Sequence, residues 1–182
     1  HAIILNGPVT ADQLTVDAGG ALNINIPGGA GNDLTLAGAG TQLTVNGTLL
    51  LRGFNLILGT GSIVVNGTFD WFSGTLSVPT TTAVGSTTNL DLEFIKNLSA
   101  NFTNNGTFNW LSTAIGGDIN FTNAVFTNNG TVNEQFLSDR GFVNSGANSF
   151  VNNGTFNKTT AFVFANNNVP ITNSSTGIIK GS

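Results

Sequence analysis

Phe102-Thr103-Asn104-Asn105-Gly106-Thr107-Phe108 returns 24 residues later as Phe126-Thr127-Asn128-Asn129-Gly130-Thr131-Val132, and after another 24 as Phe150-Val151-Asn152-Asn153-Gly154-Thr155-Phe156. Two aliphatic versions precede it, Leu43-Thr44-Val45-Asn46-Gly47-Thr48-Leu49 and Ile63-Val64-Val65-Asn66-Gly67-Thr68-Phe69. Within these repeats the Asn-Gly pairs begin at positions 46, 66, 105, 129 and 153, and the one long interval, 39 residues, is close to two periods. Leu14-Thr15-Val16-Asp17 and Ile171-Thr172-Asn173-Ser174 extend the series in both directions. A fixed-period turn between short apolar segments marks a repeat architecture, and a period near 20 suits one coil of a parallel β-helix. The spacing predicts an all-β, right-handed parallel β-helix of about eight or nine coils, each of roughly 20–24 residues, filling residues 1–182 as one domain about 40 Å long.

Side chains alternate across a strand. Leu43, Ile63, Phe102, Phe126 and Phe150 therefore share one inward column, and Leu49, Phe69, Phe108, Val132 and Phe156 share another. Burial of each Phe or Leu is worth roughly 1.5–3 kcal/mol of transfer free energy, which makes these columns the main stabilising term. Asn104, Asn128 and Asn152 stand where earlier coils carry Val45 and Val65. An inward amide without partners is costly, so the three are expected to satisfy one another as a ladder. The Asn-Gly pairs suit a turn that requires positive φ. Further strands are expected at 34–36, 55–58, 90–94 and 162–164, and an expanded loop at Val78 to Ser86; no segment reads as a helix.

Composition narrows the function. Asp, Glu, Lys and Arg make up 8% of residues and the net charge is −4, while Asn (27) and Thr (25) supply the surface polarity. No basic patch exists for nucleic acid. The chain has no Cys, and no 18-residue apolar run that would insert in a membrane. The ends begin and finish close to strand, which fits a piece of a longer extracellular solenoid, since terminal coils ordinarily need caps.

Candidate chemistry is sparse. Gly28-Gly29-Ala30-Gly31-Asn32-Asp33 resembles half of the RTX calcium nonapeptide pair, but the next nine residues put Gln42 where the second Asp belongs, so no metal site is assigned. Asp91 and Glu93 alternate with apolar residues and are expected on one outer face; Glu134, Asp139, Arg140 and Lys158 read as a solvated ion-pair group. The lone His is His1, which leaves no base for a nucleophile. Trp71 and Trp110 would offer rings for a sugar to stack on if they faced out, but parity puts them in an inward column with Leu51. Ten Asn-x-Ser/Thr sequons occur, half of them being the structural turn itself. Thr48, Thr68, Thr107, Thr131 and Thr155 recur once per coil and face out, and form the candidate binding ladder; a second Thr column, at 15, 44, 103, 127 and 172, lies across the turn from it.

The Asn-Gly-Thr-Phe repeats, Gly-rich turns and scarcity of charge resemble the β-helical shafts of large bacterial exoproteins, of the filamentous haemagglutinin-like adhesin and autotransporter-passenger type. The resemblance implies a non-catalytic structural or adhesion module, extracellular or at the cell surface, without cofactors, whose partners are host or environmental glycans or proteins. Two alternatives stay open: a glycan- or ice-binding solenoid using the outer Thr and Asn ladders, and a polysaccharide-active β-helix enzyme.

Overall fold

A computed structural model describes residues 1–24, 31–90, 94–112, 117–136, 141–158 and 168–181. These residues form strands and turns and no helix. The strands stack into three all-parallel sheets of nine, seven and eight strands, visited in rotation by the chain. We number them sheets 1, 2 and 3 in the order the chain meets them. Seven successive turns contribute a described strand to every sheet, so the molecule is a parallel β-solenoid of about seven turns. Eight or nine were expected. Sheet 1 carries nine strands, with successive partners Ala2, Ala21, Thr48, Thr68, Thr87, Thr107, Thr131, Thr155 and Ile178, but beyond the seventh turn the described strands do not complete another three-sheet circuit.

The repeated motif divides between two sheets. Its first half is a strand of sheet 3 and its second half a strand of sheet 1, with Asn-Gly at the corner. Phe102, Phe126 and Phe150 stack face to face, with centroids 5.1 Å apart at each step and ring planes within 18°. Phe108 meets Phe102 and Phe126 edge-on from sheet 1. Parallel in-register strands force identical residues into contact at the strand spacing of about 4.8 Å, and offset stacks plus T-shaped pairs are the arrangements aromatic rings prefer.

The 39-residue interval holds a complete turn that the apolar pattern hides. Thr80–Thr82, expected as loop, is a strand of sheet 3, paired with Ile63–Val65 on one side and Phe102–Asn104 on the other. Its inward side chains are Thr80 and Thr82. The next strand, Thr87–Leu90, likewise points Thr88 between Phe69 and Phe108. Threonine is a good strand former, but here it occupies core positions, so alternation alone did not mark them.

Positive φ does not explain the Asn-Gly corners. Gly47, Gly67, Gly106, Gly130 and Gly154 have ordinary φ values; among the described non-glycine residues only Asn123 is left-handed. Their requirement is contact. A Cβ on Gly130 would sit 2.1 Å from the Gly106 carbonyl oxygen, and one on Gly154 would sit 2.1 Å from that of Gly130. The corners lie directly on one another so that the next residue's N–H can donate to that same carbonyl, as Thr131 does to Gly106 (2.9 Å) and Thr155 to Gly130 (2.8 Å). A side chain there would separate the stack.

The inward amide ladder is present and longer than expected. Thr82 Oγ1 donates to Asn104 Oδ1 (3.0 Å), Asn104 Nδ2 to Asn128 Oδ1 (2.8 Å), Asn128 Nδ2 to Asn152 Oδ1 (2.7 Å), and Asn152 Nδ2 to Asn173 Oδ1 (2.7 Å). Asn104, Asn128 and Asn152 are fully buried. The same Nδ2 groups reach the carbonyls of Thr131, Thr155 and Ile178. Carbonyls only accept, so the amides cannot be reversed.

At one end of the stack Ile3, Ile4 and Val9 are exposed, and at the other Ile171, Ile178 and Ile179. Among the described residues no helix is long and apolar enough to cross a membrane.

Candidate binding surface

The two Thr columns lie on different faces. Thr15, Thr44, Thr81, Thr103, Thr127 and Thr172, interrupted by Val64 and Val151, run up the outside of sheet 3. Thr48, Thr68, Thr107, Thr131 and Thr155 run up the outside of sheet 1 in one unbroken register, and Thr87 fills the gap between Thr68 and Thr107. Thr87 follows Ala83-Val84-Gly85-Ser86 instead of Asn-Gly, which is why the motif did not reveal it. Each of these six side chains is half-buried.

Beside that column stands a second one that motif reading missed. Two residues beyond Thr68, Thr87, Thr107, Thr131 and Thr155, on the same face, are Asp70, Asn89, Asn109, Asn133 and Asn157, while Leu50 holds the place beyond Thr48. The signal was in the sequence, since Thr-x-Asn recurs at 87, 107, 131 and 155. Asn89 Nδ2 donates to Asp70 Oδ1 (2.9 Å), Asn109 to Asn89 (3.2 Å), Asn133 to Asn109 (2.9 Å) and Asn157 to Asn133 (2.9 Å). A carboxylate oxygen accepts. Asn89 must therefore turn its NH₂ toward it, and each amide above is aligned in turn. Lys180 occupies the same column over Asn157, so a cation stands at the end where the amide oxygens point.

The corner amides form a ladder of the same sense. Asn153 donates to Asn129 and Asn129 to Asn105 (2.9 Å each), and Asn105 Nδ2 ends on the Thr82 carbonyl (2.9 Å). On sheet 2, Asn120 donates to Asn97 and Asn97 to Thr75. These outward ladders donate toward the N-terminal end; the buried ladder donates toward the C-terminal end.

The other candidates are placed as follows. Trp71 and Trp110 are inward and buried, stacked in a column with Leu51 and Leu90; neither ring face is available to a sugar. Asp91, Glu93, Asp139 and Arg140 lie outside the described residues, as do Gly28, Gly29 and Ala30. Asp33 Oδ1 accepts the Leu56 N–H of the next circuit (2.9 Å), and Gln42 Nε2 donates to the Ala39 carbonyl of its own turn (2.6 Å). Glu134 and Lys158 correct the expectation of a solvated group. They pair inside the solenoid, with side-chain exposures of 1% and 13%. Burial raises the Glu134 pKa above the usual carboxylate range, and the hydrogen bond and charge of Lys158 offset this only in part. Parity could have found them, since Glu134 follows Trp110 in its inward column. Lys96 is also buried, its Nζ donating to the Phe94 carbonyl (3.1 Å).

No family model, no curated protein and no solved structure matches this chain.

Proposed function

We propose that the chain is a non-catalytic structural or adhesive module, extracellular or displayed at a cell surface, built as a shaft of the filamentous haemagglutinin-like or autotransporter-passenger type. The observation that carries this reading is how the polar groups are used. Asn and Thr are spent in ladders that run from turn to turn along the axis, which is what a rigid spacer needs. The outward Thr and Asn columns on sheet 1 then leave a long, regular face for contact. Antibody labelling and fractionation of the producing cells test the location: surface or medium recovery is expected, and recovery confined to the cytosol would refute it.

The Thr and Asn columns favour a second reading, a solenoid whose main task is to bind a ligand along that face. Substitution of Thr107 and Thr131 that leaves adhesion to every surface tested unchanged would remove sheet 1 from either role.

A further inference from the structure

The sheet 1 face has a property that limits what it can hold. Asn89, Asn109 and Asn133 each commit one N–H and one oxygen lone pair to the column and have one of each left over, and Asn157 commits one N–H. From Asn89 to Asn157 these groups repeat at the strand spacing of about 4.8 Å. The Thr hydroxyls repeat beside them, two residues or about 6.6 Å along each strand. The amides are already held by the ladder and lose little rotamer freedom on contact. The column carries no charge between Asp70 and Lys180.

A soluble sugar or peptide gains little from such a face. Every hydrogen bond it makes replaces one made to water, with a small net return. Nor is there an open ring to stack on beside the Asn column: Phe69, Trp71, Phe108, Trp110 and Phe156 point into the core, the Arg52 guanidinium lies over the Phe72 ring (4.1 Å to its centroid), and the exposed Phe54 and Phe94 sit in turns beyond the strand ends. The balance changes when the partner's own hydroxyls are fixed in a lattice. Its ordering cost has then been met in advance, and weak contacts over six turns act together.

We infer that the Thr–Asn face of sheet 1 binds the ordered water of an ice surface. This rests on the reading of that face as an adhesive surface and names its ligand class. Uncharged donors and acceptors side by side suit water, which offers both, and the lack of an open stacking ring along the Asn column separates this face from one shaped for carbohydrate.

The test is partition of the purified protein into slowly growing ice, with crystalline cellulose and chitin pull-downs in parallel. Thr107→Lys/Thr131→Lys disturbs the face, and Thr103→Lys/Thr127→Lys makes the same change on sheet 3; far-UV circular dichroism confirms that both fold. The expected result is enrichment of the wild-type protein in ice, kept by the sheet 3 variant and reduced about tenfold or more by the sheet 1 variant. Exclusion of the wild-type protein from ice, or equal loss in both variants, overturns the inference. Binding to cellulose or chitin without ice, lost in the sheet 1 variant, overturns ice as the ligand while leaving the adhesive reading intact. Binding to none of the three also overturns ice as the ligand.

Discussion

Replacing Asn128 with Val tests the buried ladder where it is most enclosed. Asn128 accepts from Asn104 and donates to Asn152 and to the Thr155 carbonyl. Valine is the residue found in this column lower in the stack, at 16, 45 and 65, so shape is not the obstacle. The cost is electrostatic. The substitution leaves Asn152 Oδ1 without its donor and deprives one Asn104 proton of its best acceptor, both inside the core. A buried polar group left unpaired costs about 1–3 kcal/mol, and burial of the valine methyls returns part of this, so Asn128→Val should destabilise by about 2–4 kcal/mol. Replacing Asn104, Asn128 and Asn152 together removes both partners at every internal step. Within the ladder only the ends, the Thr82 hydroxyl and the exposed Asn173, lose a neighbour, and the Thr131, Thr155 and Ile178 carbonyls lose a secondary donor. The triple variant should therefore cost much less than three times the single one, with a coupling of about 1–3 kcal/mol. Urea denaturation followed by circular dichroism and tryptophan fluorescence measures both. A single substitution costing under about 0.5 kcal/mol, or three that simply add, would refute the reasoning.

Two further outcomes follow from the corners and the buried pair. Gly130→Ala places a Cβ against the Gly106 carbonyl and should cost about 2–4 kcal/mol, whereas Gly7→Ala, whose Cβ meets nothing within 4 Å, should stay within about 0.5 kcal/mol; equal effects in thermal melts would contradict the contact argument. Glu134 has a folded pKa raised by burial, so the native state binds more protons than the unfolded chain just above the ordinary carboxylate range. Through that window wild type should lose stability relative to Glu134→Gln as pH rises. A relative gain would mean that Lys158, not burial, dominates.

The solenoid was legible because its stacking columns are chemically uniform where they matter most. Phe102, Phe126 and Phe150 announce their own register, and Asn104, Asn128 and Asn152 can be inward only as a group. The turn at residues 74–90 was not legible, because Thr80, Thr82 and Thr88 occupy core positions with a residue equally at home outside. The role of the corner glycines was misread for a physical reason. Asn-Gly suits a left-handed turn in isolation, but in a stack the neighbouring turn's carbonyl imposes the stronger constraint, and a single coil of sequence does not contain that neighbour. The outer Asn column was visible as Thr-x-Asn; what sequence could not supply was the common direction of its amides, which follows from Asp70 beneath Asn89.

The most direct test of the architecture uses the absence of native cysteine. Thr107 and Thr131 are 24 residues apart in sequence yet adjacent, outward register partners in sheet 1. In-register parallel strands place their Cα atoms about 4.8 Å apart, within the span a disulfide bridges. Thr107→Cys/Thr131→Cys should close an intramolecular disulfide under mild oxidation, while Thr103→Cys/Thr131→Cys, on different faces, should not. A monomer that leaves the first pair reduced, or cross-links both pairs alike, would contradict the stacked register on which everything else depends.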